Sequence, residues 1–204
     1  MPKHTIQSHG ITCLTPKHPK VKAVQEEHGH ASIHGTKIWD ASLVLMDFIS
    51  IDGLPVGAKV LDIGCGWGPL TCYLNKQQGA RVISIDADDA VVPYLELHAQ
   101  ENEVDVHFWQ MTIDKLSIDD LSMADYIMGG DICFWDSLRE DWKQLMKRAQ
   151  KAGVKQLLLS DPGRSPFHEL VDWAAERFDI EFWEHDILQP VKSEHYILQV
   201  NFTS

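Results

Sequence analysis

Three acids and a set of alternating glycines carry most of the chemistry this sequence offers. Asp62-Ile63-Gly64-Cys65-Gly66-Trp67-Gly68-Pro69 follows the short run Lys59-Val60-Leu61. An acid and three glycines therefore lie between a buried strand and a helix whose start is marked by Pro69. Glycines at this spacing let the chain turn sharply and let a ligand lie against bare backbone N–H groups. The third glycine comes one residue too early for the dinucleotide fingerprint GxGxxG. A second apolar run, Arg81-Val82-Ile83-Ser84-Ile85, ends in Asp86, roughly 20 residues beyond the glycines, where an acid is expected to hold a ribose. An ionised carboxylate only accepts hydrogen bonds, so Asp86 can take both ribose hydroxyls. The third acid, Asp131, follows a fourth strand that closes on the pair Gly129-Gly130. Ligands of open parallel sheets bind beyond the carboxyl ends of the strands, which puts Asp131, Phe134 and Trp135 at the reacting end of such a site.

The elements that must hold these residues alternate in type. Ile38, Ala41, Leu45, Phe48 and Ile49 recur at helical spacing and predict a helix over 35–49, with Trp39 in its first turn. An aromatic there suits both packing and covering a ligand. Further helices are expected over 70–76, 88–102 (with Asp88 and Asp89 placed for capping), 137–151 (with Asp136 as N-cap) and 166–178. A strand over 104–109 leads into Gln110-Met111-Thr112-Ile113-Asp114. A fifth strand over 156–160 ends in Asp161-Pro162-Gly163-Arg164, whose central Pro-Gly predicts a type II turn. Arg164 is placed to pair with Asp161 or Asp131, or to guard the site entrance. Two closing strands, 181–184 and 195–202, complete an α/β layer fold.

The chain has 204 residues, enough for one full core. Its formal charge of −12 counts against a nucleic-acid substrate, because such binding draws on basic grooves that displace counterions. The balance suits a cationic acceptor or a basic partner instead. Cys13, Cys65, Cys72 and Cys133 form no CxxC pair, and no apolar run approaches a membrane span. The expectation is a cytoplasmic protein with no membrane partner. Residues 1–34 hold six histidines, show little periodicity and match no metal-ligand spacing. They read as an N-terminal arm, folded over the site or partly disordered, ahead of a domain over 35–204.

Asp62, Gly64, Gly66 and Gly68 are similar to the Asp-x-Gly-x-Gly-x-Gly motif of class I S-adenosylmethionine (SAM) methyltransferases. Ile38-Trp39-Asp40, Asp86 and Gly130-Asp131-Ile132-Cys133-Phe134 resemble the seven-β-strand protein lysine methyltransferases, which carry Asp/Glu-x-x-Tyr/Phe after strand four. Asp161-Pro162-Gly163-Arg164 resembles the branch acting on the β subunit of electron-transfer flavoprotein. The resemblance covers about residues 35–202. It implies a Rossmann-like, doubly wound, seven-stranded sheet, mostly parallel with an antiparallel last strand. It implies SAM as cofactor, held by Trp39, Asp62, Gly64, Gly66, Gly68, Asp86, Met111, Thr112 and Gly129, with Asp131 and Phe134 as the catalytic pair. Thr112 departs from the acid or amide usual beside the adenine, so backbone groups or Asp114 are left to fill that role.

The expected acceptor is a lysine amine of a protein substrate. Keeping such an amine neutral at pH 7 costs roughly 4.6 kcal/mol from a solution pKa of about 10.4. A carboxylate raises that pKa further, which assigns Asp131 to capturing and orienting the ammonium. The alternatives are a small-molecule N- or O-methyltransferase and a SAM-binding module without turnover.

Overall fold

The computed structural model describes residues 3–29 and 35–202. In chain order it begins with β1 (Thr5–Ser8), β2 (Ile11–Leu14) and α1 (Pro19–His28), followed by α2 (Asp40–Asp52). The Rossmann-like alternation comes next: β3 (Lys59–Ile63), α3 (Pro69–Lys76), β4 (Arg81–Asp86), α4 (Val92–Asn102) and β5 (His107–Gln110). After the short α5 (Ile118–Leu121) come β6 (Tyr126–Gly130), α6 (Asp136–Ala152), β7 (Gln156–Asp161) and α7 (Ser165–Ala175). The chain closes on β8 (Asp179–Ile187) and β9 (Ser193–Asn201).

The seven strands β3 to β9 form one sheet in the order β5-β4-β3-β6-β7-β9-β8. β3 to β7 run parallel, whereas β9 is antiparallel to both β7 and β8. This is the doubly wound α/β sheet expected. The chain crosses over at β3, which has β4 on one side and β6 on the other, so a crevice opens beyond its carboxyl end. One core, with Leu61, Ile127, Leu157 and Leu198, lies under α6 and α7. The other, with Val60, Met128, Leu158 and Ile197, lies under α2 and α3. β9 feeds both cores because its residues alternate between the two faces.

The first residues, expected as an arm folded over the site or partly disordered, begin with regular structure. β1 and β2 pair as an antiparallel hairpin. Ile11, Cys13, Leu14 and Val21 are fully or almost fully buried. Two polar side chains of α4 bind this hairpin as a neighbouring strand would. Asn102 accepts from the Thr12 amide at 2.7 Å and donates to the Thr12 carbonyl at 2.9 Å. His98 accepts from the Leu14 amide through Nε2 at 3.0 Å and donates through Nδ1 to the Tyr94 carbonyl at 2.7 Å. The backbone needs of β2 are thus met by side chains about 90 residues away, which no local pattern announces. His30 and His34 of the histidine-rich tract lie outside the described residues.

Smaller boundaries also move. The helix expected from residue 35 starts at Asp40, with Trp39 as its N-cap. The strand expected over 104–109 is His107–Gln110. Trp135, not Asp136, is the N-cap of α6, and Asp136 sits in its first turn. The turn after β7 is built on a side chain: Asp161 Oδ1 accepts from the amides of Gly163 at 2.9 Å and Arg164 at 2.8 Å.

Candidate active site

The carboxyl ends of β3, β4 and β6, with the start of α2 and the first turns of α6, enclose a cleft of about 580 Å³. That lies inside the ~300–1,000 Å³ range of small-molecule sites. Of the residues singled out from sequence, Trp39, Gly64, Gly66, Asp86, Met111, Thr112, Asp131, Phe134 and Trp135 line it. Asp62, Gly68 and Gly129 do not.

The glycine turn divides between ligand and packing. Gly66 has φ +52, and a Cβ there would meet nothing within 4 Å, so bare backbone faces open cleft. Gly68 has φ +76, and its Cβ would stand 2.2 Å from Leu95 Cδ1, so this glycine admits α4 rather than a ligand. Gly129 is likewise a packing position, since its Cβ would sit 3.1 Å from the Ile63 carbonyl oxygen.

Asp86 ties the turn to β4. Its Oδ2 accepts from the Gly66 amide at 3.0 Å, and its Oδ1 from the Asp88 amide at 3.1 Å. Burial raises its pKa, although these backbone donors oppose the rise. An ionised carboxylate has about four acceptor sites, so lone pairs on both oxygens stay available to a diol.

Asp62 is 2 % exposed and works from behind the turn. It accepts from Thr71 Oγ1 at 2.7 Å, which leaves Ser84 Oγ as the donor to Thr71 at 2.9 Å. Burial, with a smaller push from the charge of Asp86, raises its pKa to about 7. The contact with ligand expected of Asp62 is replaced by a hydrogen-bonded brace joining β3, α3 and β4.

At the other end, Asp131 lies just beyond β6 with φ +59, a backbone conformation uncommon for a residue with a side chain. Its amide donates to the Ser160 carbonyl at 2.8 Å, and the Arg164 guanidinium binds its carboxylate. Arg164 also reaches Asp161 Oδ2 at 3.2 Å. The pairing left open between Asp161 and Asp131 is therefore made with both. Gly130 allows this crowding, because a Cβ there would lie 3.1 Å from Ala41 Cβ at the start of α2. Trp142 Nε1 fixes the following loop by donating to the Ile132 carbonyl at 2.9 Å. Phe134 and Trp135 meet edge to face at 4.7 Å, and Trp135 is 57 % exposed at the rim.

Sequence reasoning did not pick out Leu138 and Asp141, which also line the cleft. They lie three apart on α6, so its cleft-facing side was the available signal. Thr112 Oγ1 donates to Asp114, and both line the cleft beside Met111.

Residues 60–155 match the family model of a methyltransferase domain. The ubiquinone biosynthesis O-methyltransferase of Alkalilimnicola ehrlichii is 35% identical over 83 residues, 40% of this chain and 33% of that protein. Its counterpart from Pseudomonas entomophila is 43% identical over 61 residues, 30% of this chain and 26% of that protein. The chain thus spans about a third or less of the length of these relatives. Among solved structures, the human methyltransferase 10 domain containing protein superposes with a TM-score of 0.62 at 13% identity, covering 89% of this chain and 94% of that one. M. capricolum TrmK, in complex with S-adenosyl-homocysteine, gives 0.58 at 10% identity, covering 78% of this chain and 68% of that one. These likenesses establish the fold. Over residues 60–155 the chain is similar to a methyltransferase domain, and SAM is the cofactor that this match supports.

Proposed function

We propose that this chain methylates a small-molecule acceptor from SAM, with the nucleoside end of the cleft at Asp86 and the reacting end at Asp131. One observation carries this reading: both acids line a single cleft, joined by bare glycine backbone on one side and by aromatic rings on the other. Asp86 holds the ribose hydroxyls, Gly66 leaves room for the amino-acid portion, and Met111 and Thr112 flank the base. The open space at Gly66 and the spare lone pairs on Asp86 fit such a ligand. Bound SAM supplies an electrophilic methyl on sulfonium.

The chain's own task is then to align a nucleophile and exclude water. Asp131 does the aligning. The guanidinium on one side of its carboxylate and the left-handed backbone below it set its direction. Phe134, Trp135 and Trp39 form the apolar wall against which the acceptor lies. The small-molecule reading draws on the curated relatives, which are named for O-methylation in ubiquinone biosynthesis. It also draws on Arg164, which already compensates the charge that a lysine ammonium would seek at Asp131.

A second reading, a lysine amine of a protein, is favoured by a specific observation. Among the described residues, Asp86, Asp88, Asp114, Asp131 and Asp141 line the cleft against Arg164 as the one basic residue, which suits a cation. Incubation with methyl-labelled SAM and a bacterial lysate separates the two. Label in the low-molecular-weight fraction supports the first reading, and label in a protein band the second. Label in neither would contradict both.

A further inference from the structure

The glycine turn carries one bulky side chain, and the cleft accounts for none of it. Trp67 stands between Gly66 and Gly68, yet it is 1 % exposed and does not line the cleft. Its ring lies flat on Tyr94 of α4, with centroids 4.8 Å apart and planes 4° from parallel. Leu14 of β2 and Val21 of α1 belong to the same buried cluster. Packing alone would account for the pair. Each ring, however, also aims its polar tip at a glycine carbonyl. Trp67 Nε1 donates to the Gly35 carbonyl at 2.8 Å, and the Tyr94 hydroxyl donates to the Gly29 carbonyl at 2.8 Å. An indole N–H only donates and a carbonyl only accepts, so neither bond has a second reading.

The two carbonyls stand differently towards the site. Gly29 is the C-cap of α1 and does not line the cleft, whereas Gly35 does, together with Trp39. Residues 35–39 form neither helix nor strand. Among the described residues, the bond from Trp67 is the one hydrogen bond that reaches residues 35–38. Ile38 packs against the Trp67–Tyr94 cluster, and Trp39 then leads into α2, whose Ala41 abuts Gly130. The stretch is thus tied to the glycine turn at one end and to β6 at the other. Trp39 lines the cleft between the two ties.

We propose that Trp67 is a positioning residue for the cofactor: through Gly35 it pins the stretch that sets Trp39 in the cleft wall. This rests on the cofactor reading above, in which SAM occupies this cleft. With the pin in place, residues 35–39 are ordered before the ligand arrives, and binding does not have to order them. The effect is reciprocal: whatever factor the pin adds to cofactor affinity, bound cofactor adds to the pin.

The test uses the full chain and calorimetry with S-adenosylhomocysteine. Trp67→Phe keeps a flat ring on Tyr94 and removes the N–H. The variant should bind about threefold to tenfold more weakly, the equivalent of one lost hydrogen bond. Tyr94→Phe removes the sister bond to Gly29, off the cleft, and should stay within about twofold of the wild type. Equal losses in both variants would trace the effect to a loosened stack and overturn the pin. Trp39→Ala should weaken binding by itself, and adding Trp67→Phe to it should cost less than about a further twofold, since the pin then has nothing to hold. Losses that multiply in full would overturn the pin, as would wild-type affinity in Trp67→Phe. A second arm needs no variant and follows hydrogen exchange at the Trp67 indole N–H. S-adenosylhomocysteine should slow it by about threefold to tenfold beyond any slowing of the β7 amides. Exchange at that N–H indifferent to the ligand would also overturn the pin. A wild type that takes up no S-adenosylhomocysteine removes the cofactor reading and this inference with it, a result seen before any variant is compared.

Discussion

Asp86 and Asp131 stand at the carboxyl ends of the two strands that flank β3, yet the fold equips them differently. The donors that reach Asp86 among the described residues are backbone amides, those of Gly66 and Asp88. Asp131 instead carries a guanidinium that it shares with the buried Asp161, and it sits on left-handed backbone. Backbone amides orient a carboxylate without cancelling its charge, so Asp86 remains a strong acceptor for neutral hydroxyls. An ion pair cancels charge and fixes direction, which suits a group that steers a nucleophile. On the proposed reading, two residues of one type become a holder and a steering group through what the neighbouring strands bring to them.

The largest expected break in this contrast comes from Arg164→Met. It leaves Asp131 and the 1 % exposed Asp161 without their shared cation. Removing one partner of a fully buried pair costs about 3–5 kcal/mol; with Arg164 a third exposed, about 2 kcal/mol is expected in chemical denaturation. Methyl transfer should fall at least about tenfold while S-adenosylhomocysteine affinity stays put. Loss of cofactor affinity in this variant would erase the division between the two ends of the cleft.

Asp62→Asn sharpens the cofactor side. The pKa of Asp62 is raised in the folded protein to about 7. The folded state therefore holds a proton that the unfolded chain releases near pH 4, and stability is lost as pH rises from about 4 through 7. Asparagine removes that penalty and keeps an oxygen for Thr71. Thermal melts should show the variant more stable than the wild type at pH 8, with the gain vanishing near pH 4. A variant that is less stable at pH 8 would mean the ionised carboxylate is needed by the brace.

The smallest effect falls on His98, buried against the hairpin. The pKa of His98 is lowered by burial, so the unfolded state binds the extra proton first and stability falls as pH drops through about 6.5. Amide exchange at Leu14, whose N–H is held by His98 Nε2, should accelerate between pH 7 and 5.5 beyond its intrinsic pH trend. Protection that holds steady there would show that His98 does not hold the hairpin in its neutral form.

The sheet and the glycine turn were legible because their signals are local. Apolar residues clustered in strands of five or six residues mark β3, β4 and β7, and Gly66 reports its own open space. The hairpin β1–β2 was not legible, since Asn102 and His98 supply its missing bonds from far along the chain. Asp62 and Gly68 were legible as a motif but not as brace and packing, because Thr71, Ser84 and Leu95 come from neighbouring elements. Arg164 was suspected of pairing with either acid. That it binds both follows from β6 and β7 ending side by side, which only the assembled sheet establishes.

The most direct measurement is calorimetry of S-adenosylhomocysteine against the wild type, Asp86→Asn and Asp131→Asn. Charged hydrogen bonds contribute about 1.5–3 kcal/mol, so Asp86→Asn should bind at least about tenfold more weakly. Asp131→Asn should stay within about threefold of the wild type, a difference of well under 1.4 kcal/mol. Equal binding by wild type and Asp86→Asn, or equal losses in both variants, would contradict the account.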